Sequence, residues 1–154
     1  MLPKEERKAW NEAFWAEFKA HMRACLSASG KRVNWASYPT QVKNTYLRMI
    51  CEGRTASICY DIQFKDPGIQ AIFWEQLTEL KVVLENNISV QTSWEPQFVN
   101  QEGQTIGRIY WQLEGSNFYE QQDWPLIYAF FKKHLREFDV FYQEFNEILI
   151  TLVD

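Results

Sequence analysis

The chain has 154 residues and a mass of 18.4 kDa, which is the length of a single domain spanning residues 1–154. Hydrophobic residues make up 46% and charged residues 23%, with 6 Gly and 5 Pro, a composition that excludes a linker, a collagen and a disordered tail. A net charge of −4 and a pI near 5.3 argue against broad, non-specific binding to nucleic acid.

From the N-terminus, Trp10, Phe14, Phe18, Met22 and Cys25 recur at helical spacing, which predicts a helix from about Pro3 to Ser29 with Gly30 as its stop. Trp15 lies off that stripe. The polar stretch Lys31 to Gln41 reads as a loop whose Trp35 and Tyr38 tuck against the core. Lys43–Cys51 and Thr55–Phe64 then read as a β-hairpin turning at Glu52-Gly53. In its second strand Ala56, Ile58, Tyr60, Ile62 and Phe64 alternate with Ser57, Cys59, Asp61 and Gln63, so one face is buried and the other polar.

Asp66 and Pro67 have the chemistry of an N-cap and a first helical residue, and Ile69, Ile72, Phe73, Leu77, Leu80 and Leu84 continue as one helical stripe to Asn86-Asn87. A second hairpin follows, with one strand from Ile88 to Glu95, a turn near Asn100–Gln104, and a return over Thr105–Leu113. Asp123 and Pro125 open the last helix, whose apolar positions run from Ile127 to Ile148. The order is α-β-β-α-β-β-α. It predicts a two-layer α+β domain, a four-stranded, mainly antiparallel sheet with helices packed on it.

Three cysteines without a Cys-x-x-Cys, no signal peptide and no long apolar run predict a cytoplasmic protein with reduced thiols that does not enter a membrane. Cys25, Cys51 and Cys59 are expected to be small buried hydrophobes, with Cys51 and Cys59 able to be neighbours across the first hairpin. His21 and His134 stand on different helices without partners at ligand spacing, so no metal is expected, and no cofactor either, because Gly-x-Gly-x-x-Gly and Walker patterns are absent. A metal-dependent nuclease needs a strand aspartate followed on the next strand by Glu-x-Lys. Asp61 fits the first requirement, but the only downstream Glu-x-Lys, Glu79-Leu80-Lys81, falls on a helix.

The best constellation is the polar side of the sheet. With the hairpins edge to edge it gathers Tyr46, Arg48, Asp61, Gln63, Gln91, Glu95, Arg108 and Tyr110. Two guanidinium groups beside carboxylates suit an anion or a polar peptide, and the tyrosines offer stacking surfaces. The plainer reading, favoured on pattern alone, is a solvated face with cross-strand ion pairs worth about a few tenths of a kcal/mol each.

Tyr46-Leu47-Arg48-Met49, Ala56-Ser57-Ile58, Lys65-Asp66-Pro67-Gly68-Ile69-Gln70, Thr105-Ile106-Gly107-Arg108-Ile109-Tyr110 and Asp123-Trp124-Pro125 occur in that order. As an ordered set, from about Phe14 to Phe145, the chain resembles the bacterial family known as domain of unknown function 4268, in its stand-alone form. The resemblance implies no established activity. Members attached to nuclease-like or restriction-related domains lean the expectation towards nucleic-acid metabolism or defence. The first functional expectation is therefore a non-catalytic binding or accessory module with a protein or nucleic-acid partner. The second is an enzyme acting on a small anionic or nucleic-acid substrate, with Asp61 or Glu95 as base. The third is a homodimer formed through aromatic-rich first and last helices.

Overall fold

The alternation Ala56, Ile58, Tyr60, Ile62 builds an inner strand of a four-stranded antiparallel sheet in the computed structural model, which describes residues 2–153. β1 (Thr45–Glu52) and β2 (Thr55–Ile62) form the first hairpin, and β3 (Ser93–Val99) and β4 (Thr105–Glu114) the second. The strand order is β1-β2-β4-β3, so the hairpins join side by side through β2 and β4, as expected. The first turn is the two-residue Gly53-Arg54, and Gly53 takes the positive φ of 58° that such a turn requires.

α1 (Lys4–Met22), α2 (Pro67–Glu79), α3 (Lys81–Asn87) and α4 (Trp124–Leu152) complete the α+β fold. The largest departures from the sequence reading are three. α1 ends near Met22, and Cys25 and Leu26 belong to the loop beyond it, where the Ala28 N–H is drawn to the Asp139 carboxylate on α4. The middle helix is two helices: the chain leaves helical geometry at Leu80 (φ −91°, ψ 2°), and α3 turns to pack on α4. β3 begins at Ser93 instead of Ile88. Thr92 donates to Glu85 and accepts from the Trp94 indole, which anchors residues 88–92 as the exit from α3.

Asp66 caps α2 by accepting from the Gly68 and Ile69 N–H groups, and Gln70 reaches back to the Phe64 N–H and the Ile62 carbonyl, fixing the end of β2. Asp123 plays a different part from the predicted one. Its carboxylate accepts from the Asn117 N–H and makes no side-chain cap on α4.

Helices cover one face of the sheet. Ile58, Tyr60, Ile62, Ile109 and Trp111 meet Phe138 and Tyr142 of α4 in a core that excludes water. The Phe138 ring lies 5.1 Å from Tyr60 and 6.0 Å from Trp111. α1 joins through Phe14, Trp15 and Phe18, which pack on Tyr128 and Phe131. Trp35 and Tyr38 are buried as anticipated. The rings of the first and last helices are thus largely spent inside the fold. Among the described residues no helix is long and apolar enough to cross a membrane.

Gly107 is where β4 meets α2. A Cβ added there would lie 2.6 Å from the Trp74 ring, which in turn packs edge-on against Trp94 at 5.8 Å. Gly107→Ala is therefore expected to destabilise the protein by about 1–3 kcal/mol through overpacking, read as a lower denaturant midpoint.

Candidate binding site on the second sheet face

The face of the sheet turned away from the helices is built around one carboxylate. Asp61 on β2 stands between Arg48 on β1 and Arg108 on β4, and its side chain is 0% exposed. Arg48 Nη1 donates to Oδ2 at 2.7 Å and to the Gln63 side-chain oxygen at 2.9 Å. Arg108 engages both oxygens, through Nε at 2.7 Å and Nη2 at 2.9 Å. The strand register produces this convergence: Asp61 is directly opposite Arg108 on one side and Tyr46 on the other, and Arg48 reaches it from the next outward position of β1.

Two cations share one anion, so the cluster carries one unit of positive charge. Arg48 Nε and Nη2 and Arg108 Nη1 have no hydrogen-bond partner among the described residues. Each guanidinium also lies over a ring, Arg48 at 4.3 Å from the Tyr46 centroid and Arg108 at 4.2 Å from that of Phe98.

Phe98 reaches Arg108 because β3 carries a bulge. The register steps from Glu95 opposite Arg108 to Phe98 opposite Ile106, and Pro96, which has no N–H, lies in the extra length. The end of the second hairpin then folds back over the sheet, and the Gln101 amide donates to Glu52 at the far end of β1 at 3.4 Å. Between this arch and the sheet runs a groove of about 540 Å³. Arg48, Gln63 and Arg108 form its floor, and Phe98, Asn100, Gln101 and Gln104 its wall, with Glu52 and Glu102 at the rim.

Of the residues predicted for the site, Tyr46, Arg48, Asp61 and Arg108 come together in one cluster with Gln63. Tyr110 lines an adjoining recess with Cys59 and Phe98. Glu95 is opposite Arg108 in register, yet it makes no ion pair within 4 Å among the described residues. Gln91 does not belong: β3 starts two residues later, and Gln91 is exposed in the loop that leaves α3. Phe98 and the arching turn were missed. Pro96 inside a strand pattern was the one signal in the sequence that this hairpin would not run straight.

Cys51 and Cys59 are not cross-strand neighbours. Cys51 faces Ala56 and packs on the helix side, whereas Cys59 faces Arg48 in register and lies buried on the other face. Burial pushes both thiols up to about 12. His134 is buried and bonded to Glu137. No group of three or more His, Cys, Asp or Glu could hold a metal among the described residues.

A second polar cluster was also missed. Asp139, 1% exposed on the inner side of α4, accepts from the Ser27 hydroxyl at 2.9 Å and the Ala28 N–H at 2.7 Å. The Tyr38 hydroxyl at 2.6 Å and the Gln143 amide at 3.2 Å complete its shell. These four donors satisfy the carboxylate without a cation and tie the loop after α1 to α4, a structural task.

No curated protein and no solved structure matches the chain. The family model described as a domain of unknown function, DUF4268, matches residues 11–146, and the chain belongs to that family.

Proposed function

We propose that the protein is a non-catalytic binding module that takes an anionic group of a protein partner into the groove between the sheet and the arching hairpin. The observation that carries this reading is the pair of guanidinium groups locked on one buried carboxylate, with spare N–H donors on the groove floor. The donors are preorganised, so a carboxylate or phosphate need not first order two long side chains. Glu52 and Glu102 on the rim favour a single anionic group over a polyanion such as nucleic acid.

A catalytic reading is less well supported. Asp61, the candidate base, is sealed from water and already accepts three charged N–H bonds, so a substrate proton has no approach to it.

The test uses inorganic phosphate and a short acetylated glutamate peptide, followed by NMR of the arginine side-chain N–H signals. Saturable shifts of Arg48 and Arg108, with dissociation constants of roughly a millimolar, are the expected result. Arg48→Gln, whose replaced side chain is 38% exposed, is expected to stay folded and to lose those shifts. Arginine signals that never saturate in the natural chain, or shifts that persist unchanged in Arg48→Gln, would overturn the reading.

A further inference from the structure

α4 carries an outward stripe with an unusual order of charges. Ala129, Lys133, Arg136, Val140, Glu144, Glu147 and Thr151 are all exposed. Their spacing of 4, 3, 4, 4, 3 and 4 residues places them within about 40° of one line along the helix. The line is basic before Val140 and acidic after it, with the branched apolar side chain of Val140 47% exposed at the centre.

No ion pair or hydrogen bond among the described residues accounts for this order. None of the four charged residues on the stripe makes an ion pair within 4 Å among the described residues. Like charges lie together in each half, Lys133 with Arg136 and Glu144 with Glu147, which disfavours the helix taken alone.

The pattern is its own complement when the helix is turned end for end. Laid antiparallel on a second copy with Val140 on Val140, Arg136 meets the partner's Glu144 and Lys133 meets the partner's Glu147. Ala129 meets the partner's Thr151 in the same register. A two-fold axis through Val140 generates each pair twice, as an isologous interface requires. Next to the basic half is an open groove of about 570 Å³ bordered by Leu26, Lys133, Arg136 and Val140, with Glu137 and Asp139 also in its lining. Leu26 is 49% exposed in the single chain.

We propose that this protein forms a two-fold dimer through the outward stripe of α4, with a second copy of the chain as the occupant and charge complementarity setting the antiparallel register. The interface is aliphatic and ionic, distinct from the buried rings of α1 and α4 and from the groove on the opposite side of the sheet. Dimerisation would present two such grooves on one particle, facing away from the shared helices.

Sedimentation equilibrium of the full chain, from about 10 μM to about 1 mM, tests this directly. The natural chain is expected to be dimeric at low salt, with the affinity falling about tenfold or more in about 1 M salt as the charges are screened. Lys133→Glu with Arg136→Glu should be monomeric, and so should Glu144→Lys with Glu147→Lys. An equimolar mixture of the two variants should associate again, because their stripes become complementary to each other. All these positions are exposed, so circular dichroism should report unchanged folding. A natural chain that stays monomeric, a dimer indifferent to either double reversal, or a mixture that stays monomeric would each overturn the proposal.

Discussion

Replacing both Arg48 and Arg108 by alanine is expected to cost about 4 kcal/mol of stability, enough to unfold a marginal domain, because a buried carboxylate would lose every cationic partner. Asp61 is fully enclosed, and its three side-chain hydrogen bonds come from these two residues alone. The single changes should be unequal. Arg108 is 13% exposed and binds both oxygens, so its removal should cost about 3 kcal/mol. Arg48 is 38% exposed and holds one oxygen, so its loss should cost about 1 kcal/mol after solvent screening. Adding Asp61→Asn to the double variant should recover part of the loss, since the uncompensated charge disappears. Urea titrations of the four variants and the natural chain give the comparison. A double variant within about 1 kcal/mol of the natural chain would show that Asp61 gains water or a substitute donor when the arginines leave. The same ledger explains why a binding test must leave Arg108 in place: deleting it confounds lost recognition with lost folding.

Much of this cluster was legible in advance because strand periodicity is binary. Once Ile58, Tyr60 and Ile62 are assigned inward, Asp61 must face outward, and the register then fixes who its neighbours are. The join between the hairpins needed one further inference, that a sheet with helices on one face leaves the polar residues of both hairpins on the other. What the pattern could not carry was curvature. The extra residue at Pro96 and the fold-back that brings Gln101 to Glu52 depend on twist and contacts across about fifty residues of sequence, to which alternation is blind. Gln91 was misplaced for a related reason. Ile88, Val90 and Thr92 alternate as a strand does, but Thr92 is held by Glu85, and the chain is still leaving α3. Asp139 was overlooked because the stripe Phe138, Phe141, Phe145 describes a helix face completely without it. Only the donors from Ser27, Ala28, Tyr38 and Gln143, three of them distant in sequence, explain a carboxylate in that position.

The aromatic core makes alkaline pH the condition to which this fold should be most sensitive. Tyr38, Tyr60, Tyr128 and Tyr142 are all buried, and all have pKa values raised above the ordinary tyrosine value, first by burial. Asp139 raises Tyr38 further, because the phenol donates to a carboxylate and its ionised form would repel it. The raised folded values set the sign. Below about pH 10 the phenols are protonated in both states and pH has no leverage through them. Above it the unfolded chain releases protons that the folded chain retains, so stability falls as pH rises. Each ring costs about 1.4 kcal/mol per pH unit in that range, and four together cost roughly 5–6 kcal/mol at about pH 11, comparable with the whole stability of a domain. The expected result is a cooperative transition between about pH 10 and 11.5 in which tyrosinate absorbance and loss of helical dichroism coincide. Tyr60→Phe sharpens the test. The buried Tyr60 hydroxyl has no hydrogen-bond partner among the described residues, so its removal should leave neutral-pH stability unchanged or improved while moving the alkaline midpoint upward. If all four phenols ionise while the helices remain intact, the tyrosines are reached by water in the folded state, and the packing of α4 on the sheet is looser than the contacts of Phe138 and Tyr142 imply.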